Sequence, residues 1–489
     1  MSAFAVVWPR SRFVVDEAFN TLLDDPLVQQ IVVICPHAVA SPDPKVHVIS
    51  GERPVSGEAV MLALAAARSP YILWTAPDAE IELPPHTLRR LAALMDETGA
   101  GWLYSDYRER KNGQLSDHPT ADYQLGSVRD NFDFGPVVAI SRRAAFEALN
   151  EHGPLADTQW AGFYELRLKM SLRQLPLRVA EPLYIVDHPD VRPTGEKQFD
   201  YVDPRNYDVQ RELERIVTDH LRRLGAYLEP EFEPAPEPRR PFPLTASVII
   251  PVRNRERTIR DAVQSVLDQK TDFPFNTIVV DNHSTDRTTA ILDELASRHP
   301  AVHHIVPERR DLGIGGCWNL AVLSEHCGRY AVQLDSDDLY AGPSTLQEIV
   351  DVLREGRYAM VVGSYRMVNF DLEELPPGVI DHREWTHDNG RNNLLRVNGV
   401  GAPRAFDTGV FRSLLMPNVS YGEDYALALR ISRVYEVGRI YDPIYLCRRW
   451  EGNTDAALPI EIANRYDTYK DRLRTMEILA RRRRNKHVD

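Results

Sequence analysis

The fold is decided by residues 247–286, where SVIIPVRN at 247–254 and TIVVDNHSTD at 277–286 flank a helical pattern. Ser247–Pro251 is a short apolar run suited to a buried strand, and a second such run ends at Asp281. Between them, apolar residues recur at helical spacing, at Ile259, Ala262, Val263, Val266 and Leu267. This strand–helix–strand order predicts an α/β fold with a mostly parallel central sheet.

The alternation continues toward the C-terminus. A helix is predicted from about Thr285, and His303–Val306 and Tyr330–Leu334 are further candidate strands. Ligands of such sheets bind beyond the carboxyl ends of the strands. Asp281 and the cluster Asp335–Asp338 both fall at that edge, so we expect the functional site there.

A proline-rich stretch, EPEFEPAPEPRRPFP at 229–243, precedes this segment. Its prolines remove backbone donors and disfavour helix at the preceding residue, which predicts a stiff, extended linker. The 489 residues also exceed the roughly 250–300 that one core supports. We predict a first domain at 1–228, a linker at 229–244, a catalytic domain at 245–457, and a C-terminal helix with a basic tail at 458–489.

The two halves of the chain resemble one another in order. The matched segments are Val6–Pro9 with Val248–Pro251, Val32–His37 with Ile278–His283, and Glu181–Tyr184 with Asp442–Tyr445. The charged groups are not repeated: Cys35 stands opposite Asp281, and Gly162-Phe163 opposite Glu423-Asp424. We therefore predict that the first half retains the fold without its chemistry.

Composition excludes several classes of protein. With 58 Lys and Arg against 71 Asp and Glu, the net charge is −13, which argues against general nucleic-acid binding. The apolar run Ala59–Ala67 is far shorter than the ~20 residues of a membrane span. The four cysteines lack metal-binding or disulfide spacing, and the N-terminus lacks a signal pattern, so we expect a cytoplasmic protein.

The strongest chemical signal is LDSDDL at 334–339, with three carboxylates within four residues at a strand end. Such carboxylates repel one another unless a cation neutralises them. Mg²⁺ and Mn²⁺ prefer oxygen ligands, and one or two carboxylates plus substrate phosphates suffice. Asp335, Asp337 and Asp338 are therefore candidate metal ligands. The alternative is a solvated acidic turn that caps the next helix.

Other motifs are individually weaker. Candidate nucleotide contacts are Pro251, Arg253 and Asn254 after the first strand, Asp281 after the second, and Gly313 and Asn319 in a glycine-rich helix start that favours an anion. Glu423 and Asp424 begin a further helix, where acidic residues are routine but where Asp424 could act as a general base. Arg448 and Arg449 offer guanidinium groups suited to diphosphate oxygens.

Taken in order, these motifs resemble those of the family 2 glycosyltransferases with the GT-A fold, across nearly all of residues 245–455. The resemblance implies two tandem GT-A-like domains, the first degenerate. It implies that Pro251–Asn254 and Asp281 hold a nucleotide, that Asp335 and Asp337 contact ribose and a divalent metal with Asp338 adjacent, and that Asp424 is the base. Arg448, Arg449 and Trp450 are similar to a variant of the family's later Arg/Trp motif. The family often has a second acid where Asn282 stands.

The function implied is a Mn²⁺- or Mg²⁺-dependent, inverting hexosyl transfer. The donor would be a UDP- or GDP-sugar and the acceptor a glycan or lipid-linked hydroxyl, in surface glycan or glycoconjugate biosynthesis. Two alternatives remain open, a sugar nucleotidyltransferase and a non-catalytic glycan-binding protein. Sugar nucleotidyltransferases resemble one another in a glycine-rich, basic loop after the first strand, whereas Val252–Thr258 of this sequence contains no glycine. A Rossmann dehydrogenase is disfavoured because no GxGxxG follows the first strand.

The C-terminal segment Ile460–Lys486 is predicted to form an amphipathic helix that ends in Arg481–Arg484. Basic residues are favourable at the C-terminus of a helix and are usually solvated. A second hypothesis places this basic run in peripheral contact with an anionic membrane surface, where a lipid-linked acceptor would lie.

Overall fold

The structure, a computed structural model, describes residues 3–37, 41, 43–187, 206–450 and 458–486. The chain forms two compact units. Within the described residues, unit 1 contains those up to 187 together with 207–227 and 458–486, whereas unit 2 contains residue 206 and 228–450. The chain therefore leaves unit 1 near residue 227, builds unit 2, and re-enters unit 1 for its last helix.

In the described part of unit 1, nine strands form one mixed sheet: β1 (Phe4–Pro9), β2 (Val28–Cys35), β3 (Val46–Ser50), β4 (Tyr71–Thr75), β5 (Glu80–Glu82), β6 (Trp102–Lys111), β7 (Gln114–His118), β8 (Val137–Ser141) and β9 (Leu177–Asp187). Their order is β3-β2-β1-β4-β8-β6-β9-β5, and β7 pairs with β6. Strands β1 to β4 are parallel to one another, and β8 runs antiparallel to β4 and β6.

The sheet of unit 2 repeats this pattern in its described residues: β10 (Ala246–Val252), β11 (Phe275–Asp281), β12 (Val302–Ile305), β13 (Tyr330–Gln333), β14 (Leu339–Tyr340), β15 (Met360–Val368), β16 (Glu374–Ile380), β17 (Arg404–Asp407) and β18 (Val437–Arg448). Their order is β12-β11-β10-β13-β17-β15-β18-β14, with β16 on β15. Each strand thus has a counterpart at the same place in unit 1. The tandem α/β architecture is confirmed.

The helices of unit 1 are α1 (Glu17–Asp24), α2 (Gly57–Ala66), α3 (Thr87–Thr98), α4 (Arg142–His152), α5 (Gly162–Ser171), α6 (Tyr207–Arg223) and α14 (Ile460–Asn485). Those of unit 2 are α7 (Ile259–Leu267), α8 (Thr288–Arg298), α9 (Ile314–Leu323), α10 (Thr345–Gly356), α11 (Gly390–Asn393), α12 (Thr408–Leu414) and α13 (Glu423–Ser432). None of the described helices combines the length and apolar content needed to cross a bilayer.

The first strand of each unit lies in the interior of its sheet. In β10, which pairs with β11 and β13, Val248, Ile249 and Ile250 are fully buried, and β1 is buried along its whole length. Strands covered on both faces require continuous apolar runs, which is why these segments stood out in the sequence. Exposed polar residues follow each of these two strands, Ser11 after β1 and Arg253 after β10.

Helix α14 packs within unit 1 through charged groups. Asp471 is 0% exposed, and its carboxylate accepts hydrogen bonds from the Ser127 hydroxyl and the Arg129 guanidinium. A Cβ on Gly126 would lie 2.2 Å from the Asp471 carbonyl oxygen, so the backbone there contacts the helix directly. The basic run is partly withdrawn from solvent, because Arg481 is buried and pairs with Glu477 at 2.7 Å.

The proline-rich stretch lies along unit 2. The carbonyls of Glu229 and Glu231 accept hydrogen bonds from Arg391, whose guanidinium is 4.3 Å from the Phe232 ring centroid. The Ala235 N–H donates to the Arg357 carbonyl at 2.8 Å. Residues 229–235 are therefore docked onto unit 2 and are not a free spacer.

Candidate active site

The acidic turn of unit 2 joins β13 to β14 and is held by its own backbone. The Asp338 N–H donates to the Asp335 carbonyl at 3.1 Å, and the Asp335 N–H donates to the Tyr445 hydroxyl at 3.0 Å. Oδ1 of Asp335 accepts a hydrogen bond from the Gln333 amide at 2.9 Å. The Asp338 carboxylate points inward and accepts from the Arg448 N–H at 2.8 Å, so it anchors the end of β18.

The carboxylates of this turn destabilise one another's charged forms. Burial raises the pKa of Asp338 well above its ordinary value, and Asp335 and Asp337 raise it further. Burial also raises the pKa of Asp335, an effect that Arg404 and Gln333 oppose. A group of acids that repel in a buried turn is the environment in which a divalent cation is favourable.

The donor set fits a metal shared with a ligand. Asp335 and Asp337 supply carboxylate oxygens, the kind that Mg²⁺ and Mn²⁺ prefer. Across the described residues, no three or more His, Cys, Asp and Glu side chains are grouped so as to hold a metal ion. Phosphate oxygens would therefore have to complete the coordination, as they commonly do for Mg²⁺.

Arginine and tryptophan side chains surround Asp337. The Trp450 indole N–H donates to Oδ2 of Asp337 at 3.2 Å, and Arg255 Nε lies 3.6 Å from the same oxygen. Arg448 is 2% exposed, and it donates to the Asp337 carbonyl and to Asp261. Arg448 therefore supports the turn from within. Arg449 donates its backbone N–H to the Val368 carbonyl, so that the segment follows β15.

The predicted nucleotide-contacting residues form two interlocked turns. Pro251 is half-buried in β10, and the exposed Arg253 and Asn254 follow that strand. Asn254 has φ +55; its N–H donates to the Ser284 hydroxyl, and its side-chain oxygen accepts from the Thr285 N–H. The turn after β10 is thereby tied to the turn after β11.

Asp281 is fully buried beneath these turns. Its two oxygens accept from the Ser284 N–H at 2.9 Å and from the Thr289 hydroxyl at 2.6 Å, and His304 Nε2 lies 3.6 Å away. Burial alone would raise the pKa of Asp281, but these hydrogen bonds outweigh it and lower the pKa below its ordinary value. The carboxylate is ionised and engaged within the protein, which suits a residue that shapes the turn.

The glycine-rich start of α9 contacts the protein's own backbone. The N–H groups of Gly313, Ile314 and Gly315 donate to residues 418–420. Asn319 exchanges two hydrogen bonds with the Met416 backbone. Where the sequence predicted an anion, the structure places residues 416–420, the segment that leads into α13. The close approach that the glycines permit is to this segment.

Glu423 and Asp424 occupy the first turn of α13, after Gly422 at φ +81. Oδ1 of Asp424 accepts from the Tyr425 N–H at 2.7 Å, and Oδ2 accepts from Arg404 Nη1 at 2.5 Å. The charges of Asp424 and Asp335 are close enough to interact, and Arg404 interacts with both. The structure thus brings the acidic turn and the start of α13 to one edge of the sheet.

Sequence reasoning missed Gln333, Arg404 and Arg255. Arg404 is separated from Asp424 and Asp335 by long stretches of chain and belongs to no short motif. The sequence gives only a weak indication of its role, because Arg404 is a single arginine that follows Ala402-Pro403 at the start of a short strand. Only the antiparallel pairing of β17 with β13 places it beside Gln333.

The corresponding edge of unit 1 has other residues. By strand pairing, Ala76 corresponds to Asp335 and Cys35 to Asp281. Arg10, which corresponds to Val252, is buried there with its guanidinium 3.7 Å from the Trp8 ring centroid, and it donates to the Ala79 carbonyl. A side chain of unit 1 therefore fills this part of its own edge.

Comparison with known proteins gives a family match within unit 2. Residues 247–415 match the model for Glycosyl transferase family 2. This part of unit 2 is therefore similar in sequence to the family 2 glycosyltransferases. The match includes Asp281, Asp335, Asp337 and Arg404 and ends before Asp424.

Matches to individual proteins are partial. An uncharacterized protein of Mycobacterium tuberculosis is 32% identical over 100 residues, 20% of this chain and 29% of that protein. Chondroitin synthase of Escherichia coli is 36% identical over 110 residues, 22% of this chain and 15% of its own length. The chain thus covers under a third of either relative. The solved structure of S. aureus TarS with UDP-GlcNAc aligns with a TM-score of 0.37 and 20% identity, over 48% of this chain and 72% of that one.

Proposed function

We propose that unit 2 transfers a hexosyl group from a nucleoside-diphosphate sugar, UDP- or GDP-linked, to an acceptor hydroxyl with inversion at the anomeric carbon. The observation that carries the proposal is the convergence of Asp335, Asp337 and Asp424 at one sheet edge, joined by Gln333 and Arg404, in a unit similar in sequence to the family 2 glycosyltransferases. The acceptor class we propose is a glycan or a lipid-linked sugar of surface glycan or glycoconjugate synthesis.

Donor binding falls to the acidic turn and its surroundings. Asp335 and Asp337 would hold Mn²⁺ or Mg²⁺, which when bound offsets the negative charge that develops on the leaving diphosphate. Arg255 and Trp450 flank Asp337 and lie beside that diphosphate in our proposal. The turns of Pro251–Asn254 and Asp281–Thr285 would bear the nucleoside, with Asp281 keeping its turn in shape.

Asp424 acts as the general base. Two donors, Arg404 and the Tyr425 N–H, orient its carboxylate, which in its ionised form can accept the proton of an acceptor hydroxyl. The acceptor oxygen forms its bond to the anomeric carbon while the bond from that carbon to the diphosphate oxygen breaks. The proton passes to Asp424, and the nucleoside diphosphate leaves with the electron pair. Attack opposite the leaving group inverts the anomeric centre.

Unit 1 is proposed to be a non-catalytic GT-A-like scaffold. Any contact with an anionic membrane would involve Arg482–Arg484 at the end of α14, because Arg481 is buried. We place the protein in the cytoplasm, where cysteines stay reduced; Cys35, Cys317 and Cys327 are buried thiols.

The test is an assay of the purified full chain with a panel of UDP- and GDP-sugars, Mn²⁺ or Mg²⁺, and mixed glycan acceptors. A glycosyltransferase releases nucleoside diphosphate in step with a glycosylated product. In a parallel reaction with sugar phosphates and UTP or GTP, a sugar nucleotidyltransferase would release pyrophosphate, whereas a glycan-binding protein would release neither product in either reaction. Either of the last two results overturns the proposal.

A further inference from the structure

Arg404 stands at the first residue of β17, between the acidic turn and the start of α13. We infer that it is a positioning residue, which holds the carboxylate of Asp424 in the orientation needed for proton abstraction and couples it to the acidic turn. The inference rests on the proposed function of unit 2 and adds a residue for which the sequence offered no motif.

The contact with Asp424 is short and sheltered. Arg404 Nη1 donates to Oδ2 of Asp424 at 2.5 Å and to the Gly401 carbonyl at 2.9 Å. The two side chains are 17% and 22% exposed, so the pair is only partly screened by water. Oδ1 of Asp424 is held separately by the Tyr425 N–H. With one fixed donor on each oxygen, the plane of the carboxylate is set.

The backbone of Arg404 extends this link to the acidic turn. Its N–H donates to the side-chain oxygen of Gln333 at 3.0 Å, and the Gln333 amide nitrogen donates to Asp335 at 2.9 Å. A continuous chain of three hydrogen bonds therefore joins Asp335 to Asp424 through Gln333 and Arg404. A displacement of the acidic turn on donor binding would be transmitted to the base along this chain.

Charge supports the same role. Burial lowers the pKa of Arg404, but Asp424, Asp335 and Glu423 outweigh it and raise the pKa above its ordinary value. The guanidinium thus remains charged and favours the ionised form of a neighbouring carboxylate, the form that accepts a proton.

Unit 1 shows that the fold does not need this arrangement. Strand pairing places Val138 where Arg404 stands and Trp74 where Gln333 stands. The residue matched to Asp424 is Phe163, whose ring lies 4.9 Å from that of Trp74. Unit 1 thus has apolar residues at all three positions, and its sheet forms without a counterpart of this hydrogen-bonded set.

The experiment is a double-mutant cycle on the full chain, with Arg404→Gln, Asp424→Asn and the double variant, assayed for kcat and donor KM. We expect Arg404→Gln to lower kcat about 10- to 100-fold with little change in donor KM. In the Asp424→Asn background the same change should have little further effect, because Arg404 acts through Asp424. Arg404→Lys, which retains the charge but not the planar fork, should recover part of kcat.

The matched control is Arg366→Gln, which removes an exposed arginine of β15 that pairs with Glu374 and takes no part in the hydrogen bonds between Asp335 and Asp424; it should leave kcat unchanged. Thermal melting and UDP–Mn²⁺ binding report whether each variant is folded. An unchanged kcat in Arg404→Gln, or additive losses in the double variant, overturns the inference while leaving the transferase proposal intact. Absence of transfer by the wild type overturns both.

Discussion

Units 1 and 2 have the same strand order, yet the sheet edges that follow their central strands differ in chemistry. Unit 2 has Gln333, Asp335 and Asp424 there, and unit 1 has Trp74, Ala76 and Phe163. Polar groups taken out of water cost free energy unless they are well paired. Because unit 1 forms the same sheet without them, the folding of unit 2 does not explain their presence, whereas the proposed binding and catalysis would.

The two edges also differ in what covers them. In unit 1 the Arg10 guanidinium lies over Trp8 and bonds to the Ala79 carbonyl, at the position matched to Asp338. Asp78, matched to Asp337, accepts hydrogen bonds from Ser11. In unit 2, Asp337 instead faces Trp450 and Arg255. At this edge of unit 1, Asp78 bonds to a neighbouring serine. At the same edge of unit 2, the matched Asp337 lies beside an arginine and a tryptophan.

The largest effect should come from removing the metal. Treatment with a chelator, or the substitution Asp337→Asn, should slow transfer about 10⁴-fold, because a cation at the leaving diphosphate contributes several kcal/mol. Added Mn²⁺ should restore the chelated wild type but not the variant. The control is Asp78→Asn, the matched change in unit 1, which should leave transfer unaffected; loss of activity there would refute the asymmetry between the units.

Asp424→Asn should slow transfer about 10³-fold, since a general base contributes about 10²- to 10⁴-fold. Donor affinity should persist, because the proposed role of Asp424 is toward the acceptor hydroxyl and not toward the donor. Isothermal titration with UDP and Mn²⁺, alongside initial rates, separates the two quantities. A variant that turns over normally would exclude Asp424 as the base.

The fold was largely predictable from the sequence, whereas the site was predictable only in part. Apolar runs such as Ser247–Pro251 and the repeated order of the halves determined the sheets, because buried strands need such runs. The acids were found because charge clusters at strand ends are visible in sequence. The hydrogen-bond partners of those acidic residues could not be predicted. The bond from Arg404 to Asp424, for example, depends on the antiparallel pairing of β17 with β13, which are far apart in the sequence. For the same reason, the glycines of α9 suggested an anion, although they contact residues 418–420.

A smaller effect, on stability alone, is expected from Asp471→Ala in α14. The change leaves the buried Arg129 and Arg474 without this carboxylate, which typically costs about 3–5 kcal/mol. Differential scanning calorimetry should show a lower melting temperature for unit 1. Asp467→Ala, a more exposed neighbour that also pairs with Arg129, is the comparison and should cost less. Equal losses would show that burial of the ion pair does not matter.

The last effect, which is small over any single pH unit, concerns the pH dependence of stability. Burial lowers the pKa of His220 in α6 to about 3, so folded unit 1 keeps this ring neutral while the unfolded chain protonates it below about pH 6.5. Stability should therefore fall as pH drops from about 6.5 toward 3, by at most about 1.4 kcal/mol per pH unit. In His220→Leu this part of the pH dependence should vanish, as followed by melting curves at several pH values. Identical slopes would remove His220 as the cause.

The return of α14 to unit 1 has a consequence for how this protein can be divided. If the chain is cut after residue 228, α14 is separated from the rest of unit 1, although Gly126 and Arg129 of that unit contact it. Neither half of the chain, expressed as a simple truncation, would contain the whole of unit 1. Unit 1 can be separated whole only by removing residues 228–457 from between its two parts, because a single cut divides it.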